Sequence, residues 1–198
     1  MLRIENTQVF NLEGAVIACR NAFRTELVDQ TQDEFDKSLT RAKTLVVASN
    51  NSDIKSHSHF RVGVVVSFDV VYPQYWSMEF QRYHFAEIVS STSKMHMLTK
   101  MDLDSCCNEY VSPLIKTHLR TLIDRYNAEP TKENFMKVIS NVPMGLELAM
   151  QVVTNYEQLA TIYKQRRHHR LEDWQVFCDW IETLPMFDEL IKGVGKDE

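Results

Sequence analysis

The sequence predicts an α+β domain in which a central antiparallel or mixed sheet is flanked by long helices. The strongest strand signal is residues 60–72, FRVGVVVSFDVVY, which are rich in β-branched side chains. Segments with apolar residues at helical spacing outnumber the strand segments. The 198 residues are 44% hydrophobic and contain only five Gly and five Pro. We therefore expect a single domain, residues 1–198, with a real core and no evident linker.

The N-terminal part is predicted to contain one short strand and two helices. Residues 3–10 suit a strand or extended entry, and residues 13–23 suit a small helix with Phe23 facing inward. Residues 33–48 form a stronger helical pattern, for which Asp33 is a candidate cap.

The remainder of the chain is predicted to be mainly helical. The nearly continuous apolarity of residues 60–72 predicts a strand that is buried on both faces. After Pro73 the pattern becomes helical through Tyr83. Residues 146–153 are ambiguous between helix and strand. Four more helices are predicted at residues 105–126, 131–139, 155–167 and 171–181.

Composition excludes several classes of partner and site. The net charge of −5 and the pI near 5.8 argue against DNA or RNA binding, which needs a basic face. The four cysteines lack C-x-x-C spacing, so we expect reduced, mostly buried thiols. There is no signal-peptide pattern and no run of roughly 18 apolar residues. The expectation is a soluble, cytoplasmic protein without a membrane partner.

Residues 76–96, WSMEFQRYHFAEIVSSTSKMH, combine basic groups with hydroxyls. Arg82, Tyr83 and His84 end a helix-like run, and a predicted turn follows. That turn carries hydroxyls and one cation: Ser90, Ser91, Thr92, Ser93 and Lys94. Basic groups that converge on a hydroxyl-rich turn can hold a phosphate-bearing ligand. The alternative is a polar loop that caps the next helix.

A second basic segment follows Asn155. Arg166 lies eleven residues later, about three helical turns, so the two side chains share roughly one face. Leu159 and Ile162 would anchor that face to the core. A solvated helix end, favoured by the helix dipole, is the alternative for the arginines.

Other catalytic and metal motifs are missing from the sequence. It contains no G-x-S-x-G, P-loop or G-x-G-x-x-G pattern, which argues against serine hydrolysis and ordinary NTP hydrolysis. The His57/His59 and His168/His169 pairs have no third ligand at a diagnostic spacing, so no metal site is predicted.

The order of these segments resembles that in the flavin-dependent thymidylate synthases, the ThyX family. By this resemblance the chain would be a divergent member, and a phage-type origin is one of the options. That family has a His three residues before a strand-opening Phe, as His57 is before Phe60. An Arg-His-Arg motif with hydroxyls follows, here Arg82-Tyr83-His84. Further on come a Pro and an Asn-initiated helix with a Leu and an Arg, matched by Pro143, Asn155, Leu159 and Arg166. The resemblance covers roughly residues 55–180.

The resemblance implies a ThyX-like fold, a homotetramer and reductive methylation of dUMP. The cofactor would be FAD, with NADPH and methylenetetrahydrofolate as co-substrates, and no enzyme nucleophile is required. It implies these flavin-binding residues: His57, Arg82, His84 and Asn155. It implies these nucleotide-binding residues: Ser90, Ser91, Ser93, Lys94 and Arg166.

Several departures from the motif leave other functions open. Lys94 replaces the terminal Arg of the motif, and Glu157 stands where the family has an Arg. Lys is not equivalent to Arg where a bidentate phosphate contact is needed. The alternatives are a non-catalytic nucleotide- or protein-binding factor and an enzyme that modifies another pyrimidine nucleotide.

Overall fold

The centre of the protein is a four-stranded antiparallel sheet. The computed structural model describes residues 2–51 and 55–193. The strands are β1 (Arg3–Phe10), β2 (Val65–Pro73), β3 (Glu87–Ser91) and β4 (Glu147–Asn155). Their order in the sheet is β1-β2-β4-β3, and the longest ladder pairs β2 with β4 along all nine residues of each strand. The ambiguous segment at residues 146–153 is therefore a central strand.

The prediction that the main strand is buried on both faces is wrong. In β2, Val66, Phe68, Val70 and Tyr72 are buried, whereas the residues between them are only half-buried. This alternation is typical of an antiparallel sheet with one face on the core. The strand also starts later than predicted, because residues 60–63 belong to a 3₁₀ segment, Lys55–Gly63.

Helices surround the inner face of this sheet. The described residues contain α1 (Leu12–Ala18), α2 (Gln32–Asn50), α3 (Gln74–Phe80), α4 (Lys94–Met97), α5 (Leu103–Cys106), α6 (Pro113–Ala128), α7 (Lys132–Ile139), α8 (Tyr156–Arg166) and α9 (Glu172–Glu182). Side-chain caps fix several starts. Thr31, and not the predicted Asp33, caps α2, while Asn155 caps α8 by accepting a hydrogen bond from the backbone N–H of Gln158.

Two helix predictions need correction. The predicted helix at residues 105–126 is interrupted, because α5 ends at Cys106 and α6 begins at Pro113, a residue favoured at a first helical position. Tyr110, which was expected on its apolar face, is 78% exposed. Phe23 also faces outward, in a 3₁₀ turn where the Arg41 guanidinium lies over its ring.

An aromatic cluster joins the inner face of the sheet to α3 and α9. Trp76 of α3 is fully buried, 5.0 Å from the Trp174 ring and 5.5 Å from the Phe177 ring of α9. Phe68 of β2 packs against Phe177 at 5.8 Å. Such contacts bury large apolar areas and favour tilted ring geometries. They hold the C-terminal end of α3 next to the start of α9. No helix among the described residues is long and apolar enough to cross a membrane.

A buried thiol predicts how stability depends on alkaline pH. Cys178 of α9 is fully buried, and burial raises the pKa of its thiol from 9.0 to about 12. The folded state therefore holds this proton more tightly than the unfolded chain does. The resulting stability is complete below pH 9 and is lost as pH rises towards 12.

We expect the free energy of unfolding of Cys178→Ala to fall less steeply than that of the parent between pH 9 and 11. The difference in slope should be up to about 1.4 kcal/mol per pH unit. Urea titrations at half-unit intervals measure it. Equal slopes for parent and variant would show that Cys178 does not contribute.

Candidate functional site

Three helix ends meet beside the aromatic cluster and carry the site. Glu79 lies in the last turn of α3, and Tyr83 follows in the next turn. Arg166 is the last residue of α8, while His169 and Trp174 lead into α9. These five residues are called the Glu79 cluster below. The packing of Trp76 against Trp174 brings their helices together.

Arg166 is bound on three sides within the chain. Its Nη1 donates to Glu79 Oε2 at 2.7 Å, and its Nε donates to the Tyr83 hydroxyl at 2.8 Å. Its guanidinium carbon lies 4.6 Å from the Trp174 ring centroid, within cation–π distance. Its side chain is only 17% exposed. Arg166 is thus a fixed, partly buried cation.

Glu79 Oε2 is the acceptor that ties the cluster together. Besides Arg166, it accepts a hydrogen bond from Trp174 Nε1 at 2.9 Å. His169 Nε2 lies 3.7 Å away, which is an ion-pair distance if the imidazole is protonated. A partly buried carboxylate needs such donors to offset its lost hydration. Glu79 therefore neutralises Arg166 and also positions it.

In the Arg82-Tyr83-His84 segment, the middle residue, Tyr83, contacts Arg166. Tyr83 is buried, and its hydroxyl donates to Gln165 while accepting from Arg166. Arg82 and His84, on either side, are exposed. The neighbour Arg167 pairs with carboxylates of α9 at the surface and lies outside the cluster.

The hydroxyl-rich segment is not the predicted turn. Ser90 and Ser91 lie in the edge strand β3, where Ser90 pairs with Gln151 of β4. This pairing extends the sheet, because the backbone N–H of Thr92 also bonds to β4 at Ala149 O. The remaining two predicted residues lie at the start of α4. Ser93 precedes the helix, and Lys94 donates to the Gln74 side chain.

Ser90 and Ser91 line a groove of about 520 Å³ on the outer face of the sheet. In its lining, the Asp69 carboxylate accepts hydrogen bonds from Asn6 at 2.7 Å and from Gln151 at 3.2 Å. This groove offers hydroxyls, amides, the carboxylates of Glu5 and Asp69 and the guanidinium of Arg3. The Glu79 cluster, by contrast, belongs to helices at the inner face.

His57 lies in a third place. It lines a pocket of about 360 Å³ together with His59, Arg41, Cys19 and Phe23. Burial raises the pKa of the Cys19 thiol, against the opposing effect of Arg41 and other nearby arginines. The pocket therefore offers two imidazoles, a guanidinium and a protonated thiol.

Glu157, in the first turn of α8, forms a buried ion pair with Arg61. Arg61 is 2% exposed, and its Nε donates to Glu157 Oε2 at 2.7 Å. Burial lowers the pKa of Arg61, and Glu157 opposes that shift. Arg61 also bonds to Ser58 Oγ and to the carbonyl of Leu190. The Glu157 carboxylate therefore already has a partner within the chain. In the described part of the chain, no group of three or more His, Cys, Asp or Glu residues could hold a metal ion.

Sequence reasoning missed Glu79, Trp174 and Asp69. Glu79 stands three residues before Arg82, one helical turn away, and this spacing was its only signal. Trp174 has the pattern of a core residue, and its indole N–H contact with Glu79 spans 95 residues of sequence. Asp69 interrupts an apolar strand, which is a signal for an outward-facing position.

Comparison with known proteins shows the fold. No family model matches the chain, and no curated protein matches its sequence. A structure of the flavin-dependent thymidylate synthase ThyX from Helicobacter pylori, complexed with FAD and dUMP, is similar with a TM-score of 0.68 and 14% identity. The similarity covers 96% of this chain and 97% of that chain. A second structure of that protein with FAD and dUMP gives the same score and identity over 97% and 98%.

A third similar structure is the UMP/dUMP methylase PolB from Streptomyces cacaoi bound with 5-Br dUMP. Its TM-score is 0.60 and its identity 11%, over 98% of this chain and 92% of that one. At these identities the comparisons show a shared architecture. The predicted ThyX-like α+β fold is thus confirmed.

Proposed function

We propose that this chain binds a pyrimidine nucleotide at the Glu79 cluster and reductively methylates it, with dUMP to dTMP as the leading reaction. The observation that carries the proposal is the fixed Arg166 guanidinium, which is stacked on Trp174 and still partly exposed. A preorganised cation of this kind binds ligand oxygens without a large ordering cost. The proteins of similar fold with dUMP or 5-Br dUMP in their structures support the choice of ligand.

The other nucleotide-binding residues would act from a neighbouring copy. Ser90, Ser91, Ser93 and Lys94 are grouped around β3 and α4, apart from the Glu79 cluster. A symmetric oligomer, which we propose to be a homotetramer, can complete a site with groups from different copies. This arrangement accounts for polar groups that one chain leaves dispersed.

FAD is the proposed cofactor, with NADPH and methylenetetrahydrofolate as co-substrates. The pocket of His57, His59 and Arg41 fits a diphosphate, because it offers N–H donors and positive charge. Arg82, His84 and the amide group of Asn155 would contribute from other elements. When bound and reduced, FAD would supply the hydride. Arg166 and Tyr83 would orient the pyrimidine ring, and no residue of the cluster needs to act as a nucleophile.

A second candidate is a non-catalytic factor that binds a nucleotide or a partner protein. The Glu157–Arg61 pair favours it, since a carboxylate stands in the first turn of α8 where the ThyX family has an arginine. Glu157 is already paired with Arg61 and, unlike an arginine, offers no N–H donor to a diphosphate. Modification of another pyrimidine nucleotide is a third alternative.

Flavin binding separates these candidates. We expect the purified protein to show flavin absorbance in the visible range, or to gain it on reconstitution with FAD. His57→Ala should weaken FAD binding, because it removes a donor from the pocket, while the matched control His118→Ala on α6 should not. A colourless protein that cannot be reconstituted would remove the synthase proposal and favour the binding factor.

Two neighbouring arginines provide a direct test of the nucleotide site. Arg166→Ala should cost roughly 2–4 kcal/mol of dUMP affinity, because it removes a partly buried charge-assisted contact. Arg167→Ala should cost little, since Arg167 pairs with Asp179 and Glu182 at the surface. Isothermal calorimetry measures both, and thermal unfolding checks that each variant folds. If both variants bind dUMP as the parent does, Arg166 is only a structural residue.

A further inference from the structure

The first turn of α8 supplies no cation to a diphosphate. Its Glu157 carboxylate accepts a hydrogen bond from Arg61 Nε at 2.7 Å. Arg61 itself is 2% exposed, so its guanidinium is enclosed by the chain and does not face a ligand. Asn155, the proposed flavin residue of this helix, carries no charge, and its Oδ1 accepts the capping hydrogen bond from the backbone N–H of Gln158. The positive partner of a diphosphate must therefore come from another element.

The N-terminal helices carry an excess of guanidinium groups. Burial raises the pKa of the Cys19 thiol, whereas Arg41, Arg20 and Arg24 act to lower it, so all three lie near this thiol. Glu34 pairs with Arg24, and its Oε2 lies 3.6 Å from Arg20 Nη1. Among the described residues, Glu34 is the one carboxylate that pairs with any of these arginines. The result is a local excess of positive charge in a chain whose net charge is −5.

Arg41 is the arginine of this group that is open to a ligand. It is exposed, and within the described part of the chain no carboxylate, carbonyl or hydroxyl group pairs with it. Its guanidinium carbon lies 5.2 Å from the centroid of the Phe23 ring, within cation–π distance. Arg41 and Phe23 line the pocket of about 360 Å³ together with the exposed His57 and His59. The ring contact uses the face of the guanidinium and leaves its N–H donors for an anion.

We propose that Arg41 selects a diphosphate-bearing flavin by making the bidentate contact that the first turn of α8 cannot make. The inference rests on the proposed function, since it takes FAD as the ligand of this pocket. A guanidinium forms two parallel hydrogen bonds with phosphate oxygens, and the neighbouring Arg20 and Arg24 strengthen the attraction. Riboflavin has no phosphate and gains nothing from this contact. Arg41 is thus the residue that distinguishes FAD from the flavin ring alone.

Flavin analogues test the proposal on the full chain. The parent should bind FAD about tenfold or more tightly than riboflavin, because the phosphate contact is charge-assisted. In Arg41→Gln this preference should shrink to about threefold or less. Arg41→Lys keeps the charge but loses the planar fork, so its preference should fall between the two. Isothermal calorimetry gives the affinities for FAD, riboflavin and dUMP. The dUMP affinity should not change, because this pocket and the Glu79 cluster are separate.

A matched control separates this role from a general effect of charge. Arg125→Gln removes another exposed guanidinium, on α6, and should leave the preference for FAD at the parent value. An equal loss in Arg125→Gln overturns the proposal, because net charge alone would then explain the effect. A preference that is unchanged in Arg41→Gln also overturns it, while the proposed function stands. A parent that binds neither flavin overturns both.

Salt dependence keeps the proposal testable if Arg41→Gln does not fold, which thermal unfolding checks. Arg41 is exposed, so its contact with a diphosphate is screened by salt. Raising the salt concentration should weaken FAD binding by the parent and leave riboflavin binding unchanged. An equal response of the two ligands to salt overturns the proposal.

Discussion

The arrangement of the site depends on the hydrogen bonds that the Glu79 carboxylate accepts. Its Oε2 receives hydrogen bonds from Arg166 at the end of α8 and from Trp174 in α9. The end of α3 therefore meets the end of α8 and the start of α9, which are distant from it in sequence, at one oxygen. Removing a single partner would leave this partly buried carboxylate with fewer donors to offset its lost hydration, which is costly. The same hydrogen bonds hold the Arg166 guanidinium in place without any ligand.

The sheet determines where this convergence occurs. β4 ends at Asn155, and that residue also caps α8, so the β2–β4 register sets where the helix starts. The buried Leu159 and Ile162 then hold α8 against the core and set the direction in which Arg166 emerges. From the other side, the aromatic cluster fixes α3 and α9. Glu79, Arg166 and Trp174 thus stand on helices, and such support gives more precise geometry than loops do.

Local signals in the sequence were sufficient for part of this account. The helix from Asn155 to Arg166 was predictable because its cap and apolar spacing are local, and the structure confirms Leu159 and Ile162 as its buried anchors. The strand at Val65–Pro73 was also recognisable from its β-branched residues. The burial of only one face of this strand was not recognisable. Its outer face still carries Val65 and Val71, and only Ser67 and Asp69 indicate a solvated side.

The features that could not be predicted from the sequence depend on contacts between residues that are far apart in the chain. Arg166 and Glu79 are 87 residues apart, so no spacing rule connects them. The serines at residues 90–91 have the composition of a turn, but their backbone groups pair with β4, and tertiary pairing overrides local preference. The resemblance implied that His57, Arg82, His84 and Asn155 bind the flavin. The structure places His57 in a separate pocket from the Glu79 cluster.

The three tryptophans allow a direct measurement of where a nucleotide binds. Trp174 Nε1 donates to Glu79, Trp180 Nε1 donates to Thr7, and Trp76 Nε1 is buried without a partner among the described residues. Each indole N–H gives one resonance in a ¹H–¹⁵N spectrum, assignable by Trp→Phe substitution. On titration with dUMP, the account predicts a saturable shift of the Trp174 resonance, while those of Trp76 and Trp180 stay in place. A saturable shift confined to Trp180, or dUMP binding without any shift of Trp174, would contradict it.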